Sequence, residues 1–298
     1  MTPAPLPRSY LYVPGNAGTR LDKAWASDAD AVILDLEDAV PVAEKPAARH
    51  AVAEWLAVTA ADRARSGREL WVRVNAGAAG HTDVAALADA AGVTGLVPAK
   101  ATVTDLRQLA DELDRRELDW QLAPLLETAG AVLDARVIAG LPRVARLHIG
   151  EYDLCAATGI QAGPDEGETA WARAQVVFAS SEAGIDPPVA PVSTVVRDEA
   201  AFAATTERAV RQGFVGRACI HPAQLPVLHA AFTPAPEAVA AARELLSGYD
   251  AALAAGAGAY LDADGRMVDE AVARTARRTL ALARDPHPRS KHQKGITS

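Results

Sequence analysis

The sequence predicts an α/β fold, a (β/α)8 TIM barrel followed by a C-terminal helical extension. Eight short apolar runs alternate with Ala-rich helical patterns, and several runs, such as AVILDL and GLVPAK, are apolar almost throughout. Such runs are typical of parallel strands that are covered on both faces. The length of 298 residues suits one barrel of this kind.

The predicted elements follow one another in order along the chain. The strands are Ser9–Val13, Ala31–Leu36, Leu70–Asn75, Gly95–Lys100, Leu122–Glu127, Val144–Gly150, Pro188–Val192 and Gly216–His221. The helices between them are Arg20–Ala26, Glu44–Ala64, Asp83–Ala91, Val103–Glu117, Ala129–Ala139, Glu168–Gly184 and Asp198–Gln212. An open doubly wound sheet is the alternative, and it is disfavoured because no phosphate-binding GxGxxG follows the first strand.

Three segments are expected along the chain: a barrel over residues 1–233, a helical extension over 234–285 and a disordered tail over 286–298. The extension begins with a helix from Pro234 to about Ala255, continues through the glycine-rich break GAGAYLDADG, and ends with a helix from about Val268 to Ala283. Since a barrel closes without it, the extension is a candidate lid or an arm that packs on another subunit. The glycines of the break would allow it to act as a hinge.

Composition excludes several classes of function. A net charge of −8 argues against general binding to nucleic acid or anionic membranes. No apolar run reaches 18 residues, and the N-terminus lacks the pattern of a signal peptide. The chain has two cysteines and no CxxC motif, which argues against a disulfide framework and against a zinc–thiolate site. We therefore expect a cytoplasmic protein.

Polar residues cluster where the predicted strands end, which is where barrel enzymes place their active sites. They are Asp35, Glu37, Asp38, Arg73, Asn75, Lys100, Glu127, Glu151, Asp153 and His221. Glu127 and Asp153 form the strongest pair, because an oxygen-rich site with few protein ligands suits Mg²⁺, which keeps several waters. The alternative is that both carboxylates only cap the helices that follow them.

The remaining polar residues leave alternatives open. Arg73 in a barrel mouth would bind an anion such as a substrate carboxylate or enolate, or it would form a buried ion pair with Asp35 or Glu37. Lys100 is a candidate Schiff-base lysine, although pairing with a carboxylate is favoured. His221 is a candidate general base, although its position beside Pro222 favours a structural role in a turn. His148 is expected to be a core histidine with its hydrogen bonds satisfied.

The chain resembles the citrate lyase β-subunit-like group of CoA-ester lyases, in the HpcH/HpaI aldolase superfamily. The segments that carry this resemblance extend from about Arg8 to Leu282. They are RSYLYVPGN, AVILDLEDAVPVAEKPAAR, WVRVN, LVPAK, LAPLLETA, IGEYDL, GFVGRACIHPAQL and DADGRMVDEAV. DLEDAV followed by K and AR, and IHPAQ in the last strand, are the most specific of them.

The resemblance implies Mg²⁺ held by Glu127 and Asp153, CoA-thioester and oxo-acid substrates, and a homotrimer or homohexamer. It implies that Arg73 contacts the substrate's carboxylate or thioester oxygen, and that Asp269 matches an aspartate that closes over a neighbouring subunit's site. The alternative for Asp269 is a purely structural role, in which it only caps a helix. Three basic residues lie where relatives hold the phosphates of CoA: Arg8, Arg20 and Lys23.

The sequence departs from the family pattern at Glu151 and Tyr152, beside the expected metal, and at Ser193 in the seventh-strand region. The expected reaction is cleavage or formation of a 3-hydroxyacyl-CoA such as malyl-, citramalyl- or citryl-CoA, giving an acyl-CoA and an oxo acid. The alternatives are a pyruvate-type aldolase without CoA and a non-catalytic subunit of a citrate lyase-like complex. A thioesterase step added to condensation, giving free malate, is a further alternative.

Overall fold

The computed structural model describes residues 6–284. These residues form two compact units: residues 7–232, and residue 6 together with residues 233–284. The tail predicted over residues 286–298 lies outside the described residues. Within the described part of the chain, no helix is long and apolar enough to cross a membrane.

The first unit contains one curled sheet of nine strands in which every pairing is parallel. The strands are β1 (Ser9–Pro14), β2 (Ala31–Asp35), β3 (Glu69–Val74), β4 (Gly95–Pro98), β5 (Gln121–Leu122), β6 (Leu125–Leu126), β7 (His148–Ile149), β8 (Val189–Ala190) and β9 (Gly216–Cys219). Their order is β5-β4-β3-β2-β1-β9-β8-β7-β6. The prediction of a parallel α/β sheet is therefore confirmed.

The sheet resembles a TIM barrel, but its ladder is not continuous around a closed barrel. The break lies between β5 and β6, which the sequence predicts as one strand, Leu122–Glu127. Pro124 separates the two pieces, and proline has no backbone N–H to donate to a ladder. Backbone hydrogen bonds still connect Leu122 with Arg143 (2.8 Å) and with Ala145 (2.9 Å) across this seam.

Helices follow the strands in alternation, as the periodicity predicts. They are α1 (Arg20–Ala26), α2 (Lys45–Ser66), α3 (Gly77–Leu87), α4 (Val103–Arg115), α5 (Ala129–Leu133), α6 (Ala135–Ala139), α7 (Glu151–Thr158), α8 (Ala170–Ala183), α9 (Glu199–Gln212) and α10 (Leu225–Ala231). The predicted helix Ala129–Ala139 is two short helices that meet at Asp134. The short helices α7 and α10 were not predicted, because their patterns directly follow strand ends.

Two apolar clusters hold this unit together. The larger one lies between the sheet and the helices, and it includes Leu34, Leu56 and Leu106, all fully buried. The smaller one fills the inner side of the curled sheet, around Ile33 and Trp71, which are also fully buried. Since strands β1 to β4 are apolar on both faces, each of them contributes to both clusters.

The second unit contains α11 (Pro236–Ala254), a two-stranded antiparallel hairpin of β10 (Tyr260–Leu261) and β11 (Met267–Val268), and α12 (Glu270–Leu282). The hairpin occupies the segment predicted as a glycine-rich hinge. Its Tyr260 hydroxyl donates to the carbonyl of Leu245 on α11 at 3.0 Å, and Val268 is buried with Tyr249 of α11. The segment is therefore packed structure within its own unit.

Candidate active site

A cavity of about 320 Å³ lies at the carboxyl ends of the strands of the first unit. Its lining includes the predicted residues Arg20, Asp35, Arg73, Glu127, Glu151 and Asp153. It also includes Tyr12, His148, Gly150 and Tyr152, along with apolar residues. The volume is at the lower end of the roughly 300–1,000 Å³ of ligand pockets, so it suits a small ligand.

Glu127 is the most deeply placed carboxylate of the cavity, with 1% of its surface exposed. One of its oxygens, Oε1, accepts a hydrogen bond from the backbone N–H of Lys100 at 2.6 Å. The other, Oε2, is buried and has no hydrogen-bond partner within residues 6–284. A buried oxygen without a donor is costly, so this atom is a natural position for a cation.

The backbone around Glu127 is adapted to this carboxylate. Lys100 has a positive φ of 48°, which is uncommon for a residue other than glycine. On the other side, a Cβ on Gly150 would lie 2.7 Å from the Cβ and 2.9 Å from Oε2 of Glu127. The carboxylate thus occupies space that only a glycine at position 150 leaves open.

The pKa of Glu127 is raised to about 7, mainly because burial disfavours the charged form; the N–H of Lys100 lowers the pKa, and the negative charge of Asp153 raises it. Asp153 lies in the first turn of α7, where the positive end of the helix dipole favours a carboxylate. Among the described residues no group of three or more His, Cys, Asp or Glu side chains could hold a metal. Two carboxylates are nevertheless sufficient for Mg²⁺, because waters and substrate complete its octahedron.

Arg73, on β3, forms the buried ion pair that the sequence offered as one alternative, and its binding of a substrate anion stays a prediction. Its guanidinium forms a bidentate pair with Asp35, at 2.7 Å for Nε and 2.5 Å for Nη2, and Nη1 lies 3.2 Å from Glu37. The side chain also lines the cavity and lies over the ring of Tyr12, with 5.1 Å from Cζ to the ring centroid. Burial lowers the pKa of Arg73, but Asp35 more than offsets this and raises it, so the group stays charged.

Lys100 forms ion pairs with Glu37 and Asp38, as favoured from the sequence. Burial lowers the pKa of Lys100, but the hydrogen bond and charge of Glu37 outweigh it, so the pKa is raised overall. A Schiff-base lysine needs a neutral amine, and this environment favours the ammonium form.

The three residues that depart from the family pattern each form a hydrogen bond with a neighbouring group. The buried Arg173 forms a bidentate pair with Glu151, at 2.5 and 2.6 Å, so the charge of this carboxylate is already compensated. The Tyr152 hydroxyl lies 2.8 Å from Oγ1 of Thr194. The Ser193 hydroxyl accepts from the N–H of Val195 at 3.2 Å, which is a local turn contact.

The two histidines singled out from the sequence differ. His221 begins a short 3-10 turn, and its Nδ1 accepts from the N–H of Ala223 at 3.1 Å, so the expected structural role is observed. His148 is buried with 2% of its surface exposed, but Nε2 has no hydrogen-bond partner within residues 6–284. The prediction of a satisfied core histidine is therefore wrong, because the side chain lines the cavity.

The three predicted CoA-binding residues are not brought together. Arg20 begins α1 and lines the cavity, and Lys23 is exposed one turn later on the same helix. Arg8 precedes β1, at the opposite end of the strand from the cavity, and its Nε pairs with Asp30 at 2.7 Å. Since the site lies at the carboxyl ends of the strands, Arg8 does not belong to this cavity.

Asp269 belongs to the second unit, where it is the N-cap of α12. Its Oδ1 accepts from the N–H groups of Ala271 (2.9 Å) and Val272 (3.1 Å). The capping role that the sequence offered as an alternative is thus observed. The catalytic role stays a prediction.

Sequence reasoning missed Tyr12, Gly150 and the cavity position of His148, and it also missed the backbone N–H of Lys100, which bonds Glu127. Tyr12 could have been found, because alternation along RSYLYVP places it on the same face as Tyr10, toward the inside of the sheet. No sequence signal marks a backbone N–H or a missing Cβ as a contributor.

Residues 8–222 match the HpcH/HpaI aldolase/citrate lyase family. A citrate lyase subunit beta-like protein of Deinococcus radiodurans is 36% identical over 288 residues, covering 94% of this chain and 98% of that protein. A (3S)-malyl-CoA thioesterase of Cereibacter sphaeroides is 34% identical over 279 residues, covering 93% and 94% respectively.

A crystal structure of CitE from Mycobacterium tuberculosis, in complex with magnesium, acetoacetate and coenzyme A, superimposes with a TM-score of 0.75. The two chains are 30% identical, and the match covers 94% of this chain and 98% of that one. The agreement in sequence and in fold extends over nearly the whole chain. The chain therefore belongs to the HpcH/HpaI aldolase/citrate lyase family, and it is an enzyme of the lyase class.

Proposed function

We propose that the protein is a Mg²⁺-dependent carbon–carbon lyase that cleaves or forms a 3-hydroxyacyl-CoA, giving an acyl-CoA and an oxo acid. The observation that carries the proposal is the buried Oε2 of Glu127, which no described residue bonds, in a cavity that Asp153 also lines. This pair offers hard oxygen ligands and leaves most of the coordination sphere to water and substrate. The magnesium in the complex of the similar CitE protein supports the choice of metal.

Glu127 and Asp153 would hold the ion, which supplies a Lewis acid for the alkoxide and carbonyl oxygens of the substrate. The backbone N–H of Lys100 fixes one carboxylate oxygen of Glu127 and leaves the other for the metal. Gly150 leaves the space in which that carboxylate lies. The protein's contribution at this point is a rigid, preorganised pair of ligands.

Arg73 would stabilise negative charge on the substrate's carboxylate or on the enolate of the acyl half. Asp35 holds the guanidinium by two hydrogen bonds, so its orientation is fixed before substrate binds. Because Arg73 already compensates part of the charge of Asp35 and Glu37, its net field in the cavity is weaker than that of a free arginine. Its value for catalysis is therefore mainly directional hydrogen bonding.

The CoA moiety would approach past Arg20, which lines the cavity, with Lys23 one helical turn away. Asp269 would protonate the enolate carbon, or remove that proton in the synthetic direction, in the site of a neighbouring subunit. Support for this last role comes from the resemblance alone, as does support for a trimeric or hexameric assembly.

The proposal is tested by assaying the purified protein with Mg²⁺ against malyl-, citramalyl-, methylmalyl- and citryl-CoA, with products identified by mass spectrometry. An acyl-CoA and an oxo acid in equal amounts are expected. Free CoA with malate would indicate an added thioesterase step, as in the name of the Cereibacter relative. Turnover of free oxo acids alone would favour the aldolase, and no turnover with bound Mg²⁺ would favour a non-catalytic subunit.

A further inference from the structure

Tyr12 and His148 lie one layer below the carboxylates of the cavity. His148 on β7 pairs in register with Leu125, which is two residues before Glu127. Tyr12 on β1 pairs with Ile33, which is two residues before Asp35. Residues two apart on a strand face the same side and lie roughly 6.6 Å apart. The side chains of Tyr12 and His148 therefore lie one layer deeper than those of Asp35 and Glu127, at the inner end of the same cavity.

His148 is a buried polar group that the described residues leave unsatisfied. Its ring meets the edge of Tyr10, with centroids 5.3 Å apart, but the Tyr10 hydroxyl is bonded to Arg146. A buried donor or acceptor without a partner destabilises the fold unless a ligand supplies that partner. Burial and, to a smaller extent, the charge of Arg146 together lower the pKa of His148 to about 3, so the imidazole is neutral and offers one donor and one acceptor.

Tyr12 adds a second neutral polar group to this inner end. Its ring lies against the Arg73 guanidinium, and its hydroxyl forms no hydrogen bond within the described part of the chain. Burial raises the pKa of Tyr12 well above its usual range, so the phenol keeps its proton and can donate it in a hydrogen bond. Two adjacent layers therefore differ in chemistry: charged groups above, and neutral hydrogen-bonding groups below.

We propose that Tyr12 and His148 determine substrate specificity by hydrogen-bonding an oxygen-bearing substituent on the third carbon of the oxo acid. This inference rests on the proposed function, in which the carboxylate and oxo groups of that acid lie near Glu127 and Asp153. An acid with only a methyl or ethyl group at this point would leave both polar groups unpaired. A site built to bond a hydroxyl discriminates strongly against an analogue that lacks it.

Two oxo acids of nearly equal size test the inference: 3-hydroxypyruvate and 2-oxobutyrate. The first has a hydroxyl where the second has a methyl. Each is titrated calorimetrically into the Mg²⁺-loaded protein, with pyruvate as a reference. We expect the wild type to bind 3-hydroxypyruvate at least about tenfold more tightly than 2-oxobutyrate. Tyr12→Phe and His148→Met should each bring this ratio toward one and leave pyruvate affinity within about twofold.

Tyr10→Phe is the matched control, because the Tyr10 hydroxyl is bonded to Arg146 rather than free to bond a ligand. It should lower stability but keep the affinity ratio of the wild type. Equal affinities in the wild type, or an unchanged ratio in both Tyr12→Phe and His148→Met, would overturn the inference and leave the lyase proposal intact. Failure of the wild type to bind any of the three acids in a Mg²⁺-dependent manner would overturn both.

Discussion

Glu127 combines burial, one backbone donor and one oxygen that no residue within 6–284 bonds, and each of these has a measurable consequence. We expect Glu127→Gln, and also Asp153→Asn, to weaken Mg²⁺ binding strongly and to lower activity in parallel, with the fold retained. Calorimetric Mg²⁺ titration and circular dichroism measure the two effects separately. Glu182→Gln, at an exposed glutamate outside the cavity, is the control that should change neither. Wild-type metal affinity in either cavity variant would remove that residue from the ligand set.

The raised pKa of Glu127 predicts a pH dependence for metal binding. Mg²⁺ requires the carboxylate form, so its affinity should fall about tenfold per pH unit below 7 and level off above it. In the metal-free protein the protonated form is the favoured one, because the folded-state pKa lies above the ordinary value of 4.5. Glu127 then contributes on the order of 3 kcal/mol to stability below pH 4.5, and this is lost as the pH rises through 7.

Melting curves of the metal-free protein at several pH values measure this second effect. Wild-type Tm should fall relative to that of Glu127→Gln as the pH increases from 5 to 8, since the amide does not titrate. Parallel Tm profiles for the two proteins would mean that Glu127 ionises near its ordinary pKa, and the predicted pH dependence of metal binding would then also fail.

Arg73 provides a second test at the scale of one residue. Arg73→Lys keeps the charge but loses the planar fork that bonds Asp35 twice. We expect kcat/KM to fall on the order of 10²-fold or more, equivalent to about 3 kcal/mol of transition-state stabilisation. Arg136→Lys, which disrupts a similar bidentate pair on the surface, should be kinetically silent. Near-normal kinetics in Arg73→Lys would assign Arg73 a structural role only.

Among the elements, the turn from β7 into α7 carries the tightest constraint on the site. Gly150→Ala would place a Cβ less than 3 Å from Glu127, so the carboxylate must move. We expect Mg²⁺ affinity to fall about tenfold or more, while Asp153 stays in its helix. Gly130→Ala on α5 meets no atom within 4 Å and serves as the control, with unchanged affinity and equal or higher stability. Unchanged metal binding in Gly150→Ala would indicate that Glu127 has another accessible position.

Local patterns predicted most elements because parallel strands and Ala-rich helices have distinct signatures. The seam at Pro124 was missed, since the apolar run LAPLLE reads as one strand although its proline cannot donate to the ladder. The short helices α5 and α6 were merged for a related reason, because Asp134 interrupts the helix without a glycine or proline. Hydrophobic periodicity shows which face of a strand or helix is buried more reliably than it shows where the element is interrupted.

At the scale of the whole molecule, the predicted site residues fall into two groups, according to the end of the strand at which they lie. Glu127, Asp153 and Arg73 follow or end strands and do line one cavity, whereas Arg8 precedes β1 and lies at the other end. The same rule about strand ends places Arg8 away from this cavity from the sequence alone, and a contact of Arg8 with CoA stays a prediction. The unpartnered Nε2 of His148 was not predictable, because satisfaction of a hydrogen bond depends on neighbours distant in the chain.

Asp269 tests whether the second unit takes part in the chemistry. Asp269→Asn keeps a good N-cap for α12 but removes the carboxylate, so stability should change little while turnover is lost. Mg²⁺ binding and oligomeric state, measured by calorimetry and light scattering, should stay as in the wild type. Full activity in Asp269→Asn would leave capping as the role of this residue.

If sites are shared between subunits, mixed oligomers of Asp269→Asn and Glu127→Gln should regain part of the activity, because some sites then receive both intact residues. Subunit exchange is verified separately by mass spectrometry of differently tagged chains. Verified exchange without recovered activity would place the action of Asp269 within its own chain.

Lys100 meets two unrelated requirements with two parts of one residue. Its main chain, in a left-handed conformation, positions Glu127, while its ammonium group compensates Glu37. A glycine there would satisfy the torsion angle but not the charge, and an arginine would satisfy the charge while keeping the strain of a non-glycine residue. Fewer residue types should therefore be tolerated at position 100 than either requirement alone would allow. Separate substitutions can test the requirement for the torsion angle and the requirement for the charge.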